Sequence, residues 1–366
     1  MERLGHLYHE QGQSPWLDNL NRRYLTDGTL QRMIDGGIRG LTSNPTIFQK
    51  AIQGSADYDE QHRDLAIRGG AAIDHYWAMV LQDIQGALAL FRPLYDHSFG
   101  GDGYVSVEVD PGLAHDGAGT EVAARDLSQQ IDRPNLMVKI PATVEGLPAI
   151  RQMIAEGRNV NVTLIFSLER YQRVMDAYVE GLETYSAHAD SDLSKVASVA
   201  SFFISRVDSE VDKRLEAIGT PEALALRGKA AVAQAKLAYK AYQQTFSGPR
   251  WDALAADGAV PQRPLWASTS TKNPAYPDTL YVDQLIGPNT VNTLPEATIT
   301  AFADHGTVAR TIDADVAQAE ADWAALKAVG VDLDDVAAQL EREGVASFQA
   351  SFDELINALT TKAATF

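Results

Sequence analysis

Short runs rich in β-branched and other apolar residues alternate along the chain with longer segments of helical periodicity. This alternation is typical of parallel βαβ units, because a parallel strand needs a crossover, usually a helix, before the next strand. The pattern predicts eight strands, at residues 15–20, 38–43, 104–110, 136–140, 160–166, 196–205, 264–269 and 290–294. Segments compatible with helices lie between them, at residues 57–94, 119–131, 146–156, 168–188 and 221–246.

Eight strands with intervening helices predict an α/β fold, the (β/α)8 TIM barrel, with additional C-terminal helices. No linker or shift in composition marks a boundary, so we expect one domain over residues 1–366. The Ala-, Asp- and Glu-rich tail at residues 311–366 has the pattern of amphipathic helices and is interpreted as a helical extension. Segment 57–94 is long for one helix, and the Gly-Gly turn after Arg68 predicts a break.

Polar residues alternate with aliphatic ones in three consecutive predicted strands. In a barrel, alternate side chains face the lumen, and catalytic groups belong near the carboxyl ends of the strands. Glu108 alternates with the valines of its strand, Lys139 lies between Val138 and Ile140, and Thr163 follows a valine in the next strand. The pattern therefore predicts that Glu108, Lys139 and Thr163 face one lumen.

Lys139 lies within the apolar run LMVKIP at residues 136–141. A buried ammonium is unfavourable unless it has a charged partner or loses its proton, and a neutral amine is a nucleophile. Lysines that form Schiff bases with carbonyl substrates arise in this way. From this run alone, a solvated lysine on an edge strand is an equal alternative.

The three lumen residues also suggest chemistry as a group. A carboxylate, an amine and a hydroxyl that converge in a dry pocket can hold a water molecule and transfer protons, as imine formation and hydrolysis require. Glu108, Lys139 and Thr163 therefore favour catalysis, because buried polar groups are unfavourable where no function is served. The alternative is a polar cluster whose members satisfy one another's hydrogen bonds.

The chain is strongly acidic, with a formal net charge of −18. Nucleic acid and anionic membranes favour clustered Lys and Arg, so the charge argues against both partners. A small phosphorylated substrate is compatible if a few basic residues form a local positive patch. The sequence has no cysteine, no apolar signal-peptide stretch at its start and no apolar segment long enough to span a membrane. These features predict a cytoplasmic protein.

Patterns for metals and nucleotide cofactors are absent from the sequence. The eight histidines lack metal-ligand spacing, and residues 110–121 lack the ligands and the glycine of a calcium loop. The glycines at positions 100, 101 and 103 precede a predicted strand, whereas a dinucleotide-binding fingerprint follows one. We therefore expect neither a metal nor a cofactor.

Five segments of the chain together resemble the transaldolase family, in the family's order and at family-like spacing. They are residues 40–46 (GLTSNPT), 106–111 (SVEVDP), 137–142 (MVKIPA), 161–167 (NVTLIFS) and 201–206 (SFFISR). The run at residues 265–281, which includes WASTSTKNP, resembles the longer bacterial branch of the family. The resemblance implies a class I aldolase-type barrel in which Lys139 attacks the C2 carbonyl of a ketose phosphate and forms first a carbinolamine and then an imine.

The resemblance also implies substrates. A dihydroxyacetone unit would pass from fructose 6-phosphate or sedoheptulose 7-phosphate to erythrose 4-phosphate or glyceraldehyde 3-phosphate, in the non-oxidative pentose phosphate pathway. Two other functions stay open at this point. One is an aldolase of the fructose-6-phosphate aldolase kind, which releases dihydroxyacetone, and the other is a barrel that binds sugar phosphates without chemistry. We expect a monomer or a homodimer.

The resemblance further implies roles for individual residues. Asp18, in the segment PWLDN, resembles the acid/base that takes the C4 hydroxyl proton during carbon–carbon cleavage, and its alternative is a helix N-cap. Glu108 and Thr163 resemble the pair that holds the catalytic water. The residues that resemble the family's ligands for the hydroxyls of the dihydroxyacetone unit are Asn44, Asn161 and Ser201.

Arg206 resembles the family's phosphate-binding arginine, and its alternative is a surface salt bridge with Asp208. Shorter family members carry an arginine where this chain has Lys272, two residues after Ser270. Ser270 and Lys272 are therefore expected to bind phosphate through a point charge rather than a planar fork. Phe203 is expected to keep the pocket dry, as a transferase requires, and its alternative is a role as core filler.

Overall fold

The computed structural model describes residues 2–365 of the chain. The strands are β1 (Gln13–Leu17), β2 (Val105–Glu108), β3 (Leu136–Pro141), β4 (Val160–Ile165), β5 (Ser198–Phe203), β6 (Arg263–Ala267) and β7 (Thr290–Leu294). They pair in parallel in the order β1-β7-β6-β5-β4-β3-β2. A parallel sheet of this order with intervening helices is the predicted α/β fold of the TIM-barrel type.

The space between β1 and β2 is closed by Leu41, within the segment 38–43 that the sequence predicts as a strand. Leu41 forms one parallel bridge with Leu17 and one with Val105. The strand prediction was wrong in length, because a helix capped by Asn44 begins directly after this bridge. A one-residue bridge therefore takes the place of the predicted second strand.

The α-helices within residues 2–365 are α1 (Glu2–His9), α2 (Arg22–Thr26), α3 (Thr29–Asp35), α4 (Pro45–Gln53), α5 (Asp59–Arg68), α6 (Ala72–His97), α7 (Gly117–Ile131), α8 (Gly146–Ala155), α9 (Leu168–Ser186), α10 (Ser205–Ile218), α11 (Pro221–Leu224), α12 (Ala230–Thr245), α13 (Pro249–Ala256), α14 (Leu280–Asp283), α15 (Glu296–His305), α16 (Val316–Ala328) and α17 (Leu333–Ala363). Short 3-10 helices lie at Ala56–Tyr58, Pro111–Leu113 and Leu193–Lys195. The predicted break after Arg68 is confirmed, since Gly69 and Gly70 separate α5 from α6 with φ angles of 87° and 110°. The predicted helix 221–246 is also divided, into α11 and α12.

The register of the strands brings polar side chains to the same height in the lumen. Glu108 of β2 pairs with Lys139 of β3, and Lys139 pairs with Asn161 of β4. Asn161 donates a hydrogen bond of 3.0 Å to Ser106 of β2. Because β3 lies between β2 and β4, this bond can form only across the lumen. The predicted convergence of these strands on one lumen is thereby confirmed.

A buried ionic cluster around Asp102 closes the amino-terminal end of the barrel. Its carboxylate accepts hydrogen bonds from Ser14 at 2.7 Å, from Arg39 at 2.8 Å, and from Trp16 and Arg263 at 3.3 Å. These donors belong to β1, to the segment before Leu41 and to β6. Asp102 is 1% exposed, and the two arginines compensate for the burial of its charge.

The carboxyl-terminal end of the barrel is crossed by α17, which belongs to the predicted helical extension. The helix begins at Asp332, whose side chain accepts hydrogen bonds from the backbone N–H groups of the first turn. It packs against α4, α6 and α10 and reaches β4. At Gly344, a β-carbon would lie 2.9 Å from Cδ2 of Leu164, so glycine permits this close approach. The extension therefore covers part of the barrel mouth.

Replacing Asp102 with alanine is expected to lower the unfolding temperature, because Arg39 and Arg263 would stay mostly buried without a counter-charge. Breaking a buried pair in this way costs about 3–5 kcal/mol. Thermal unfolding of Asp102→Ala and of the wild-type chain at one scan rate measures the effect. The control is Asp96→Ala, which breaks an Asp–Arg pair whose side chains are 53% and 46% exposed, and it should change little. Equal losses in the two variants would contradict the role given to Asp102.

Candidate active site

A cavity of about 120 Å³ opens at the carboxyl ends of the strands. Active sites of barrels of this type lie at this end. The sequence-predicted site residues on its wall are Asp18, Asn44, Lys139, Thr163, Ser201, Phe203, Arg206, Ser270 and Lys272. The other two, Glu108 and Asn161, lie behind the wall, where they contact Lys139 and Ser201. The structure therefore brings all of the predicted site residues together.

Lys139 and Glu108 form a buried ion pair. Nζ of Lys139 lies 3.4 Å from Oε2 of Glu108, and both side chains are 5% exposed. Nζ also donates a hydrogen bond of 3.1 Å to the carbonyl oxygen of Ser43. Burial raises the pKa of the Glu108 carboxyl, and the charge of Lys139 opposes part of that rise. Since Lys139 is buried in a central strand, the alternative of a solvated edge-strand lysine is wrong.

Thr163 offers the cavity a buried hydroxyl that has no hydrogen-bond partner within residues 2–365. Such a group is unfavourable unless water or a ligand binds it. The pairing of β4 with β5 is irregular between Val162 and Ile165, and Leu164 has a φ of 60° there. Bulges and strained backbone of this kind are concentrated beside functional sites, where they redirect side chains. The hydroxyl is thus available as both donor and acceptor.

Asp18 follows directly after β1 and is held by Thr42. The Thr42 hydroxyl donates to Oδ1 of Asp18 at 2.7 Å and lies 2.6 Å from the hydroxyl of Thr293. Burial raises the pKa of Asp18, while the charge of Lys139 and the hydrogen bond from Thr42 oppose the rise. The next helix is capped by Asn21. The alternative that Asp18 is a helix cap is therefore wrong.

Two asparagines of the site have fixed amide orientations. Asn161 donates through Nδ2 to Ser106 and accepts a hydrogen bond of 2.7 Å from the Ser201 hydroxyl, which reaches the cavity wall. Asn44 caps α4, and its Oδ1 accepts from the backbone N–H of Ile47 at 3.0 Å. Because Oδ1 is occupied in this way, the amino group of Asn44 is left as the donor on the cavity wall.

Arg206, in the first turn of α10, lies over the ring of Phe203, with Cζ 5.2 Å from the ring centroid. Burial lowers the pKa of Arg206. Within residues 2–365 no carboxylate forms a salt bridge with its guanidinium. Asp208 instead accepts hydrogen bonds from the Tyr281 hydroxyl at 2.6 Å and from the backbone N–H of Ala231 at 2.8 Å. The predicted alternative, a salt bridge between Arg206 and Asp208, is therefore wrong.

Ser270 and Lys272 lie in the segment 268–279, between β6 and α14. Nζ of Lys272 donates a hydrogen bond of 2.6 Å to Oγ of Ser270. Although Lys272 is exposed overall, partial burial of its amine and the positive charge of Arg206 lower its pKa. The two cations thus form a local positive patch in a protein with a net charge of −18.

Other residues of the site were not singled out from the sequence. Thr42 and Ser43 hold the aspartate and the lysine, and their position between Leu41 and Asn44 in the GLTSNPT segment is the signal that could have identified them. Phe348 of α17 lies on the cavity wall. No local pattern marks this phenylalanine, because its place depends on how the extension packs on the barrel.

The charged side chains of the site are the cations Lys139, Arg206 and Lys272 and the carboxylates Asp18 and Glu108. Among the residues that the structure describes, no group of three or more His, Cys, Asp or Glu side chains is arranged to hold a metal ion. Over the same residues, no helix is both long and apolar enough to cross a membrane.

Comparison with known proteins shows which family the chain resembles over nearly its whole length. The model of the transaldolase/fructose-6-phosphate aldolase family matches residues 15–359. Transaldolase 1 of Streptomyces coelicolor is 55% identical over 353 residues, which is 96% of this chain and 92% of the relative. The transaldolase of Acidothermus cellulolyticus is 55% identical over 351 residues, 95% of this chain and 94% of the relative. The chain therefore belongs to the transaldolase/fructose-6-phosphate aldolase family.

Proposed function

We propose that the protein is a transaldolase that transfers a dihydroxyacetone unit through a Schiff base on Lys139. The donor is sedoheptulose 7-phosphate or fructose 6-phosphate, the acceptor is glyceraldehyde 3-phosphate or erythrose 4-phosphate, and the pathway is the non-oxidative pentose phosphate route. The observation that carries the proposal is the buried pair of Lys139 and Glu108 at a cavity on the carboxyl end of the barrel. The names of relatives at 55% identity support the same activity.

The ion pair supplies the nucleophile. Transfer of a proton from Nζ of Lys139 to Oε2 of Glu108 leaves a neutral amine, and the raised pKa of Glu108 makes its carboxylate a better proton acceptor than an ordinary one. The amine attacks the C2 carbonyl carbon, and loss of water from the carbinolamine gives the imine. Glu108 and the Thr163 hydroxyl hold the departing water and, in the reverse sense, the water that hydrolyses the product imine.

Asp18 is the acid/base of carbon–carbon cleavage. Its carboxylate takes the proton of the C4 hydroxyl, the C3–C4 bond breaks, and the aldose phosphate leaves as an aldehyde. The electron pair of the broken bond moves to C3 and is delocalised through the imine as an enamine. This carbon then attacks the aldehyde of the acceptor, and Asp18 returns the proton to the new alkoxide. The hydrogen bond from Thr42 keeps the carboxylate in place.

The dihydroxyacetone unit is bound by neutral polar groups. Ser201 is linked through Asn161 to Ser106, so its hydroxyl has a fixed direction. Asn44 offers its amino group, because its carbonyl oxygen caps α4. Hydroxyl groups both donate and accept, so a hydroxyl and an amide together match the two free hydroxyls of the unit.

The substrate phosphate is bound by Arg206, Lys272 and Ser270. The guanidinium of Arg206 forms no salt bridge among the described residues, although the charges of Glu343, Asp18 and Glu108 act on it from a distance. Its planar fork matches a phosphate. Arg206 also lies in the first turn of α10, where the helix dipole favours an anion. Lys272 adds a point charge. This patch offsets the repulsion that a net charge of −18 exerts on phosphorylated substrates.

A second candidate activity is that of a fructose-6-phosphate aldolase, which the family description also names. The two activities differ in what consumes the enamine, since the transferase passes it to an aldehyde and the aldolase protonates it. Phe203 is 6% exposed on the cavity wall and packs on Phe166, with 5.2 Å between ring centroids. An apolar ring at this position leaves no polar group to hold a second water, which favours the transferase.

The cytoplasmic location, the monomeric or homodimeric state and the single domain stay predictions from the sequence.

Incubation with fructose 6-phosphate and sodium borohydride is expected to add a dihydroxyacetone-sized mass, because borohydride reduces the imine to a stable amine. Intact mass and peptide mapping should place the adduct on Lys139, and Lys139→Ala should lose it. Lys236→Ala is the matched control, since Lys236 is also buried, at 6% exposure, but donates to the carbonyls of Thr311 and Ala314 outside the cavity. An adduct that persists in Lys139→Ala would contradict the mechanism.

The transfer rate is expected to fall as the pH decreases through the raised pKa of Asp18, because only the carboxylate accepts a proton. The acid limb of kcat/KM therefore lies at a higher pH than an ordinary aspartate would give. Thr42→Val removes a hydrogen bond that lowers this pKa, so the limb should move upward by roughly one pH unit. The control is Thr46→Val, whose hydroxyl bonds to Ser351. An unmoved limb in Thr42→Val would exclude Asp18 as the base.

Phe203→Tyr is expected to raise the release of free dihydroxyacetone relative to transfer, because the added hydroxyl can hold a water that protonates the enamine. An enzymatic assay for dihydroxyacetone, with and without an acceptor aldehyde, measures this partition. Phe203→Leu, which adds no hydroxyl, is the control and should not shift the partition. An unchanged partition in Phe203→Tyr would remove the role given to Phe203.

A further inference from the structure

The residues proposed to bind the substrate phosphate come from two separate parts of the chain. Arg206 lies in α10, whereas Ser270 and Lys272 lie in the segment 268–279, here named the β6–α14 loop. Loops are positioned less accurately than helices and strands, and a binding group that is misplaced by about 1 Å loses much of its effect. A structural device is therefore needed to keep the loop in register with α10.

Tyr276 in the loop is bonded to α10. Its hydroxyl donates a hydrogen bond of 2.5 Å to Oδ2 of Asp212. The other carboxylate oxygen of Asp212 accepts from the backbone N–H of Gly228 at 2.8 Å. Asp212 is 7% exposed, so the carboxylate end of this charge-assisted bond is largely removed from water. The carboxylate is thus fixed on one side and holds the loop on the other.

The Tyr276 ring also packs closely against the backbone at Gly228. Gly228 has a φ of 73°, and a β-carbon at this position would lie 2.8 Å from Cζ of Tyr276. The absence of a side chain at Gly228 therefore leaves the space that the ring occupies. Packing and the hydrogen bond together define one position for this part of the loop.

A second hydrogen bond between a tyrosine and an aspartate lies just after the loop. Tyr281 in α14 donates to Oδ2 of Asp208, and both side chains are buried. Asp208 and Asp212 are four residues apart in α10 and so project from the same face of the helix. That helix carries Arg206 in its first turn. Two tyrosine–aspartate bonds thus join the loop and α14 to the element that bears the phosphate arginine.

We propose that Tyr276 and Asp212 form a positioning contact that holds Ser270 and Lys272 opposite Arg206, and that this contact sets the enzyme's preference for phosphorylated ketoses. The proposal rests on the proposed function, because it assumes that these three residues bind the substrate phosphate. Tyr276 touches neither Lys139 nor Asp18 by any hydrogen bond. We therefore expect its loss to weaken phosphate binding and to leave imine formation unchanged.

The surroundings of Lys272 on the side away from the catalytic cavity support its proposed role in phosphate binding. Lys272 lies on the wall of the catalytic cavity and also on the wall of a second cavity of about 240 Å³, which Asp208, Asp212 and Tyr276 line. A lysine between a phosphate site and two buried carboxylates could turn to either side. Because the two tyrosines donate to these carboxylates, each has an oxygen satisfied without the lysine. The ammonium then remains available to the substrate.

Tyr276→Phe tests the contact, because it removes the hydroxyl and keeps the ring. We expect the KM for fructose 6-phosphate to rise roughly five- to tenfold with little change in kcat, since only part of the stabilisation lost with this hydrogen bond is transmitted through the loop to phosphate binding. The competitive inhibition constant of inorganic phosphate should rise by a similar factor. The rate of inactivation by unphosphorylated dihydroxyacetone with borohydride, which reports on Lys139 alone, should not change.

Two further variants make the result specific. In a Lys272→Met background, which removes the ammonium, Tyr276→Phe should add less than about a twofold effect, because the two residues act through one interaction. Tyr239→Phe is the matched control. Its hydroxyl donates to the carbonyl of Pro288 at 3.0 Å, so its loss should leave KM unchanged. Asp212→Asn removes the charge, but its single amide oxygen can still accept from the Gly228 N–H while its amino group donates to the Tyr276 hydroxyl. It should therefore give a smaller rise in KM than Tyr276→Phe.

The outcomes separate the contact from the proposed function. If wild-type protein forms no adduct with dihydroxyacetone and borohydride, the Schiff-base function fails. If the adduct forms but Tyr276→Phe leaves the KM for fructose 6-phosphate unchanged, only the positioning contact is overturned. An equal loss of rate with fructose 6-phosphate and with dihydroxyacetone would overturn it too, because that pattern indicates general damage. The positioning contact would also be overturned if Lys272→Met had no effect on the KM for fructose 6-phosphate.

Discussion

The structure depends on keeping one ion pair out of water. Removal of an ammonium and a carboxylate from solvent is unfavourable by several kcal/mol per ion, and only close contact between the charges offsets it. The register of β2 and β3 places Glu108 directly beside Lys139, so backbone pairing maintains this contact. The same burial raises the pKa of Glu108, which in the proposed mechanism helps the carboxylate to accept a proton from the lysine. In the proposed mechanism, the burial that is unfavourable for stability is thus also what makes the amine usable as a nucleophile.

The dry interior has to be closed at both ends, and the two closures differ physically. At the amino-terminal end, Asp102 forms buried salt bridges with Arg39 and Arg263, and these paired charges close the barrel. At the other end, α17 approaches closely through Gly344 and contributes the apolar ring of Phe348 to the cavity. There, within the described residues, Arg206 forms no direct salt bridge, although Glu343, Asp18 and Glu108 act on its charge, and the Thr163 hydroxyl lacks any hydrogen-bond partner. Polar groups without partners are retained at the carboxyl-terminal end, where a ligand can form the missing hydrogen bonds. The paired charges at the amino-terminal end therefore stabilise a barrel whose other end is adapted to binding.

The sequence predicted the strands and the lumen-facing positions of Glu108 and Lys139, because alternation within a strand is a local property. Its second strand was too long, since an apolar run does not reveal that only Leu41 pairs with its neighbours. Phe348 and Tyr276 had no local signal. Their positions depend on how α17 and the β6–α14 loop pack on a barrel that has already formed, and such long-range contacts leave no periodicity in the sequence. What the sequence encodes locally was therefore predictable, and what depends on packing between distant segments was not.

The two parts of the site are supported in different ways. The groups proposed for covalent chemistry lie in or directly beside strands, where the hydrogen bonds of the sheet fix the backbone on both sides. The groups proposed for phosphate binding lie on a helix and a loop, and their relative position depends on side-chain contacts such as that of Tyr276 with Asp212. A change in the loop can therefore alter the affinity for phosphate while Lys139 and Glu108 keep their register. In the proposed mechanism, substrate preference and imine chemistry are therefore separable, because different interactions hold the groups to which we assign them.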